Sequence, residues 1–232
     1  MSKIKGVLFD KDGTLFDFSS TWETWAASFL NRITETPAQA AALGAHIGFD
    51  HARQRFAPNS IVIAGTPDDI ATALLPDLPD HSRDSLCDLL NTEAQQAPQA
   101  EVLPLGPYLR DLRARGLALG VATNDAEAPA RVHLNRAGVV DLFDFIAGFD
   151  SGYGGKPAPG QLLGFAKAVD LEPQQVVMVG DSTHDLFAGR TAGMRRVGVL
   201  TGLATRDDLA PYADVVLDDI SQLPEWIDAQ VT

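Results

Sequence analysis

Seven side chains in this sequence could take part in one reaction: the carboxylates of Asp10, Asp12, Asp181 and Asp185, the amine of Lys156, and the small polar groups of Thr123 and Asn124. Gathered at one rim, four ionised aspartates against a single lysine would leave a net −3, and close carboxylates repel by several kcal/mol at an effective dielectric of about 20. A magnesium ion would supply two positive charges, and its preference for oxygen donors suits carboxylates, backbone carbonyls and water. The same repulsion can raise one carboxyl's pKa and keep it protonated as a general acid. Two aspartates with separated protonation states could then divide the work of nucleophile and acid. Phosphate monoester hydrolysis needs that division, because the dianion repels an anionic nucleophile unless a metal and neutral or cationic donors absorb its charge.

The elements that must position these groups are readable as strands and helices. From residue 101 onward, short apolar runs alternate with helical stretches, as in βαβ units around a parallel sheet. The expected strands are Gly6 to Asp10, Leu117 to Thr123, Phe145 to Gly148, Val176 to Val179, Arg196 to Leu200 and Val215 to Leu217. Helices are expected from Pro107 to Gly116, from near Pro129 to Gly138, from about Pro159 to Val169 and from about Asp185 to Gly193. In such a sheet ligands bind at the carboxyl ends of the strands, where the strand order reverses. Asp10, Thr123 and Asn124, and Asp181 all follow expected strands, and Lys156 lies in the loop after the third. The stretch from about 18 to 100 instead shows helical periodicity, apart from a strand-like Ile61 to Ile63. The expected architecture is therefore an α/β, Rossmann-like parallel sheet core formed by residues 1–17 and 101–232, with an all-helical cap inserted at 18–100. Prolines 98, 104 and 107 mark the return hinge.

Four stretches carry a family resemblance: Asp10-Lys11-Asp12-Gly13-Thr14-Leu15, Thr123-Asn124, Lys156-Pro157 and Gly180-Asp181-Ser182-Thr183-His184-Asp185. In order and at strand ends, they resemble the four motifs of the haloacid dehalogenase-like superfamily. Lys156-Pro157-Ala158-Pro159 and the run from Asp185 to Met194 further resemble its phosphoglycolate phosphatase-like branch, as does a helical insert soon after the first motif. The resemblance implies a phosphatase acting on a small phosphorylated metabolite, phosphoglycolate being the leading candidate. By it, Asp10 is the nucleophile and Asp12 the acid and base. Magnesium is held by the Asp10 carboxylate, the Asp12 carbonyl and Asp181, with Asp185 as ligand or orienting group. Thr123, Asn124 and Lys156 bind phosphoryl oxygens, Thr14 orients Asp12, and Gly13 makes the tight turn.

Each of these residues also has a plainer role: Asp10 as a strand terminator, Asp181 and Asp185 as helix caps, Asn124 as a turn former, Lys156 as a surface charge. In the insert, a polar stretch from His46 to Ser60 precedes Ile61, and Arg53 or Arg55 could pair with a substrate carboxylate; the alternative is a solvated helix face. Trp22 and Trp25, three apart, read as packing between cap helices. His184 is expected to face solvent or back up the fourth motif, and His133 reads as ordinary helix surface. Asp125 is a departure, since related phosphatases often carry a basic residue there.

Other functions fit less well. The glycines before Lys156 do not make a P-loop, because Asp150 and Pro157 occupy the positions of its first glycine and its Ser or Thr. Asp12 argues against a dehalogenase. The absence of any lysine between Lys11 and Lys156 argues against a phosphonate hydrolase that uses a cap lysine. A phosphomutase or a catalytically silent binding protein could keep the same fold. With 18 basic against 31 acidic residues, a net charge of −13 and only five lysines, no nucleic-acid surface is expected. Charges interrupt every apolar stretch, so no membrane span is expected, and the lone Cys87 fits a reducing, cytoplasmic setting. Oligomeric state is not encoded in any recognisable pattern.

Overall fold

The computed structural model describes residues 3–230. Strand β1 (Gly6–Phe9) is buried at every residue, as expected of a central parallel strand covered on both faces. It lies between β4 (Ala118–Ala122) and β6 (Val176–Gly180), with β5 (Phe145–Ala147) outside β4 and β7 (Arg195–Val199) then β8 (Val215–Leu217) outside β6. All five pairings are parallel.

Alternation along β1 builds two apolar layers. Val7 and Phe9 join Leu119, Val121, Val177 and Val179 against helices α5 (Leu105–Ala114), α6 (Glu127–Arg136) and the C-terminal helix Leu223–Ala229. Leu8 and Met178 face the other way, onto α7 (Gly160–Ala168) and α8 (Thr183–Ala192). The expected helices and strands of this part fall within a few residues of their observed bounds; α5 begins at Leu105, so Pro107 sits inside its first turn.

Residues 18 to 97 gather around a separate apolar cluster. Helix α1 (Phe18–Ile33) contributes Phe18, Trp22, Trp25, Phe29 and Leu30 at helical spacing. It packs with α2 (Pro37–His46) and α4 (Arg83–Gln96), and α3 (Pro67–Leu74) packs on both of these. Thr36, Thr66 and Ser82 cap α2, α3 and α4 with reciprocal side-chain bonds. The two connections to the sheet run side by side: Asp17 N donates to Ala100 O at 2.8 Å, and Val102 N to Leu15 O at 3.1 Å.

The insert is not wholly helical. Phe49–Asp50 (β2) and Arg55–Phe56 (β3) form a short antiparallel hairpin, whose buried phenylalanines meet with ring centroids 4.9 Å apart. Ile61–Ile63 is a 3₁₀ turn rather than a strand, because Ser60 Oγ accepts from Val62 N at 3.1 Å and starts a helical turn there. Among the described residues, no helix is long and apolar enough to cross a membrane.

Candidate active site

Register brings the predicted rim together. Phe9 pairs with Val121 on one side and Val179 on the other, so Asp10, Thr123 and Asp181 leave the same sheet edge. Asp10, Asp181 and Asp185 are all buried, and each offers a carboxylate oxygen lying within 4.8 Å of the others'. Lys156 Nζ closes the cluster, 2.5 Å from Asp10 Oδ1 and 2.6 Å from Asp185 Oδ1, while donating to Ala122 O at 2.8 Å. Asp185 serves twice: its Oδ2 accepts from Ser182 N at 3.0 Å in the capping box of α8, which leaves Oδ1 for the cluster.

Asn124, expected to bind a phosphoryl oxygen, has its amide engaged by backbone groups instead and acts on Lys156 through them. Its Oδ1 accepts from Lys156 N at 2.7 Å and its Nδ2 donates to Lys156 O at 2.8 Å, so the amide clasps the loop that carries the lysine. The same Nδ2 reaches Ala64 O of the insert at 2.7 Å. Thr123 is buried, its Oγ1 accepting from Asp125 N at 3.0 Å.

Three carboxylates against one lysine, all ionised, would leave a charge of −2 on largely buried groups. Burial, with Asp185 and Asp12 adding to it, pushes Asp10 up to about 7 despite Lys156. Burial and the charges of Asp10 and Asp185 raise Asp181 well above the usual carboxylate range. Lys156 is opposed by burial but held above the ordinary lysine value by Asp10 and Asp185. Hard oxygen donors with this surplus of negative charge fit a divalent cation such as magnesium. The backbone leaves room for them: a Cβ on Gly13 (φ +82°) or on Gly202 would collide with the Asp181 carboxylate.

A second buried network lies beside the first. Lys11 Nζ is 2.8 Å from Asp12 Oδ2, 3.1 Å from Asp125 Oδ2 and 2.9 Å from His133 Nδ1. Asp125, the departure noted in the motif, is thus directed at a lysine, although burial still raises it to about 6. His133 is not helix surface but fully buried. Burial and the Lys11 charge lower its pKa to about 4, so the neutral ring accepts from Lys11 at Nδ1 and donates from Nε2 to Ala94 O at 2.8 Å. Neither role was visible in the sequence, since the partners lie 122 and 39 residues away. Thr14 Oγ1 is buried with no hydrogen-bond partner among the described residues, so no bond from it orients Asp12.

A narrow cleft runs between rim and insert. Asp10, Asp12, Thr123, Asn124, Lys156, Asp181 and Asp185 all line it, as does half-buried His184. Trp22 and Trp25 belong both to the insert's apolar cluster and to the cleft wall. Arg53 and Arg55, expected at the cleft, lie elsewhere. Pairing of Phe49 with Phe56 turns the phenylalanines inward and leaves Asp50 opposite Arg55. Arg53, its side chain 82% exposed, pairs with Asp50 at 3.0 Å, and exposed Arg55 lines a shallow groove beside Gly48 and Phe49.

The comparisons with known proteins agree with this geometry. The chain is 29% identical over 218 residues to "Probable phosphatase IndB" of Dickeya dadantii (strain 3937), covering 94% of this chain and 90% of that one. It is 28% identical over 236 residues to a phosphoglycolate phosphatase of Neisseria meningitidis serogroup A, covering 97% and 89%. A solved structure described as a predicted phosphoglycolate phosphatase from Haemophilus somnus 129PT has the same fold, with a TM-score of 0.74 at 20% identity and coverage of 97% and 99%. The family model for "haloacid dehalogenase-like hydrolase" matches residues 4–193. The chain belongs to the haloacid dehalogenase-like hydrolases, and the relatives it matches there include proteins named as phosphatases and as phosphoglycolate phosphatases.

Proposed function

We propose that the chain is a magnesium-dependent phosphatase that hydrolyses a small phosphorylated metabolite through an aspartyl phosphate on Asp10. In this reading residues 1–17 and 101–232 form the catalytic core and residues 18–100 the cap. The observation that carries it is the cluster of Asp10, Asp181 and Asp185 closed by Lys156 at the carboxyl edge of a parallel sheet. The Asp10 and Asp181 carboxylates and the Asp12 carbonyl would hold magnesium, with Asp185 beside them. Bound there, the ion supplies charge neutralisation between the anionic nucleophile and the substrate dianion.

The protein's own groups do the rest. An Asp10 oxygen attacks phosphorus as the bond to the leaving oxygen breaks, and Asp12 donates its proton to that oxygen. Lys156 and the Thr123 hydroxyl hold transferring oxygens, and Asn124 acts by fixing the Lys156 backbone. Asp12, now a carboxylate beside Lys11, takes a proton from water as that water attacks the aspartyl phosphate, returning Asp10 and releasing phosphate. The names of the relatives make phosphoglycolate the first metabolite to assay.

The test is turnover of an aryl phosphate with magnesium by the wild-type chain, by Asp10→Asn, and by the wild-type chain with EDTA. Activity should fall at least about a thousandfold in the last two, as expected when a nucleophile or its charge partner is removed. Undiminished turnover by Asp10→Asn would refute the assignment.

A further inference from the structure

The insert presents the rim with an apolar wall. Trp22, Trp25, Val62, Ile63, Ile70 and Leu90 line the cleft from that side. The polar side-chain groups it adds are few: the Asn91 amide, whose Oδ1 is buried without a hydrogen-bond partner, and the indole N–H groups, of which that of Trp25 donates to Leu90 O at 3.4 Å. No lysine or arginine of the insert lines the cleft. Among the described residues Lys156 is the one such side chain there, and it already faces Asp10, Asp185 and Ala122 O. His184 belongs to α8 of the core, one residue before Asp185. On the core side, Asp12 and Asp125 also line the cleft; the buried Lys11 lies between them and 5.6 Å from the Trp22 ring centroid, so when both are ionised the group of three adds a net −1 to the same lining.

This lining discriminates between leaving groups. A carboxylate on the leaving alcohol would be moved from water to an apolar wall with acidic neighbours and no lysine or arginine free of another carboxylate, which is strongly unfavourable. A sugar would bury several hydroxyls against aliphatic and aromatic carbon, each unmade hydrogen bond adding its own penalty. A flat or aliphatic neutral group would instead cover the indole and branched side chains and gain from its own desolvation.

We propose that the site takes phosphate monoesters of neutral, largely apolar alcohols, aromatic ones included, and selects against leaving groups that carry their own negative charge. This rests on the phosphatase reading for turnover but not for binding. The experiment compares kcat/KM of the full chain with magnesium on benzyl phosphate and on phosphoglycolate, both esters of alcohols rather than phenols. It repeats the comparison on phenyl phosphate and 4-carboxyphenyl phosphate, which share a ring. In parallel, inhibition constants are measured for the non-hydrolysable benzylphosphonate and phosphonoacetate.

The neutral member of each pair should be favoured by about a hundredfold, which corresponds to about 2.7 kcal/mol. Ile63→Arg, which places a cation in the wall at a half-buried position, should narrow or reverse the preference in both turnover and inhibition. Preference of the wild-type chain for phosphoglycolate and phosphonoacetate overturns the proposal. Tight binding of benzylphosphonate without turnover of any ester would sink the phosphatase reading and leave this one standing.

Discussion

His133 Nδ1 lies 2.9 Å from Lys11 Nζ while its Nε2 lies 2.8 Å from Ala94 O, so a single neutral imidazole joins the loop after β1 to the last helix of the insert. Its pKa, lowered to about 4 by burial first and by Lys11 second, has a consequence for stability. Between that value and the ordinary 6.5 the unfolded chain binds a proton that the folded chain refuses, so stability from this group is intact above about pH 6.5 and lost as pH falls toward 4. The shift corresponds to about 3 kcal/mol. Urea unfolding of the wild type and His133→Gln at pH 7.5 and 4.5 checks it: the acid-side loss should be smaller in the variant by about 2 kcal/mol. Equal losses would show that His133 is not held neutral.

Asp10 gives the opposite sign in the metal-free protein. With its pKa raised from 3.8 to about 7, chiefly by burial, the folded state binds the extra proton, so this contribution weakens the fold as pH rises through that window. A divalent cation removes the cause. Magnesium at a hundred times its dissociation constant stabilises by about 2.7 kcal/mol, and the gain in Tm should be larger at pH 8 than at pH 5.5, where protons compete for the carboxylates. Asp181→Asn should lose most of that gain. Thermal scans with and without magnesium decide it; the same gain at both pH values would mean that the ion does not bind at these carboxylates.

How much of this was legible beforehand follows from where the partners of each residue lie. Asp10, Thr123 and Asp181 each close a short apolar strand, and the parallel register alone brings them to one edge; a local signal plus one topological rule was enough. The hairpin at 49–56 was hidden because its turn lacks Gly or Asn at the positive-φ position, which Gln54 occupies instead at +52°. Arg53 and Arg55 had a suitable charge, but residue type does not say which way a side chain faces, and the pairing of Phe49 with Phe56 decided that. Lys11 and His133 owe their environment to contacts between segments distant in sequence, and nothing in their neighbours signals burial.

The clasp of Asn124 on Lys156 should matter for rate more than its lack of charge suggests. Asn124→Ala removes the acceptor for Lys156 N and the donor shared by Lys156 O and Ala64 O. Leaving buried backbone groups unpaired should lower stability by about 1–3 kcal/mol. Misplacing the Lys156 amine should lower kcat by about tenfold to a hundredfold. Steady-state kinetics on an aryl phosphate, alongside urea unfolding, separates the two effects. A stability loss with unchanged kcat would leave Asn124 a purely structural tie between core and cap.

Two glycines test whether Asp181 needs the space around it. A Cβ at Gly202 or at Gly13 would collide with the Asp181 carboxylate, but only Gly13 has a positive φ, at +82°. Gly202→Ala should therefore act mainly by displacing the carboxylate, raising the magnesium concentration for half-maximal activity by about tenfold, the scale seen when groups that orient metal ligands are removed. Gly13→Ala should do the same and also lower stability by about 1–2 kcal/mol through left-handed backbone strain. Magnesium titrations of activity and urea unfolding on both variants give the two numbers independently. If Gly202→Ala titrates with magnesium like the wild type, the carboxylate of Asp181 is not a ligand, and the clearance around it has some other cause.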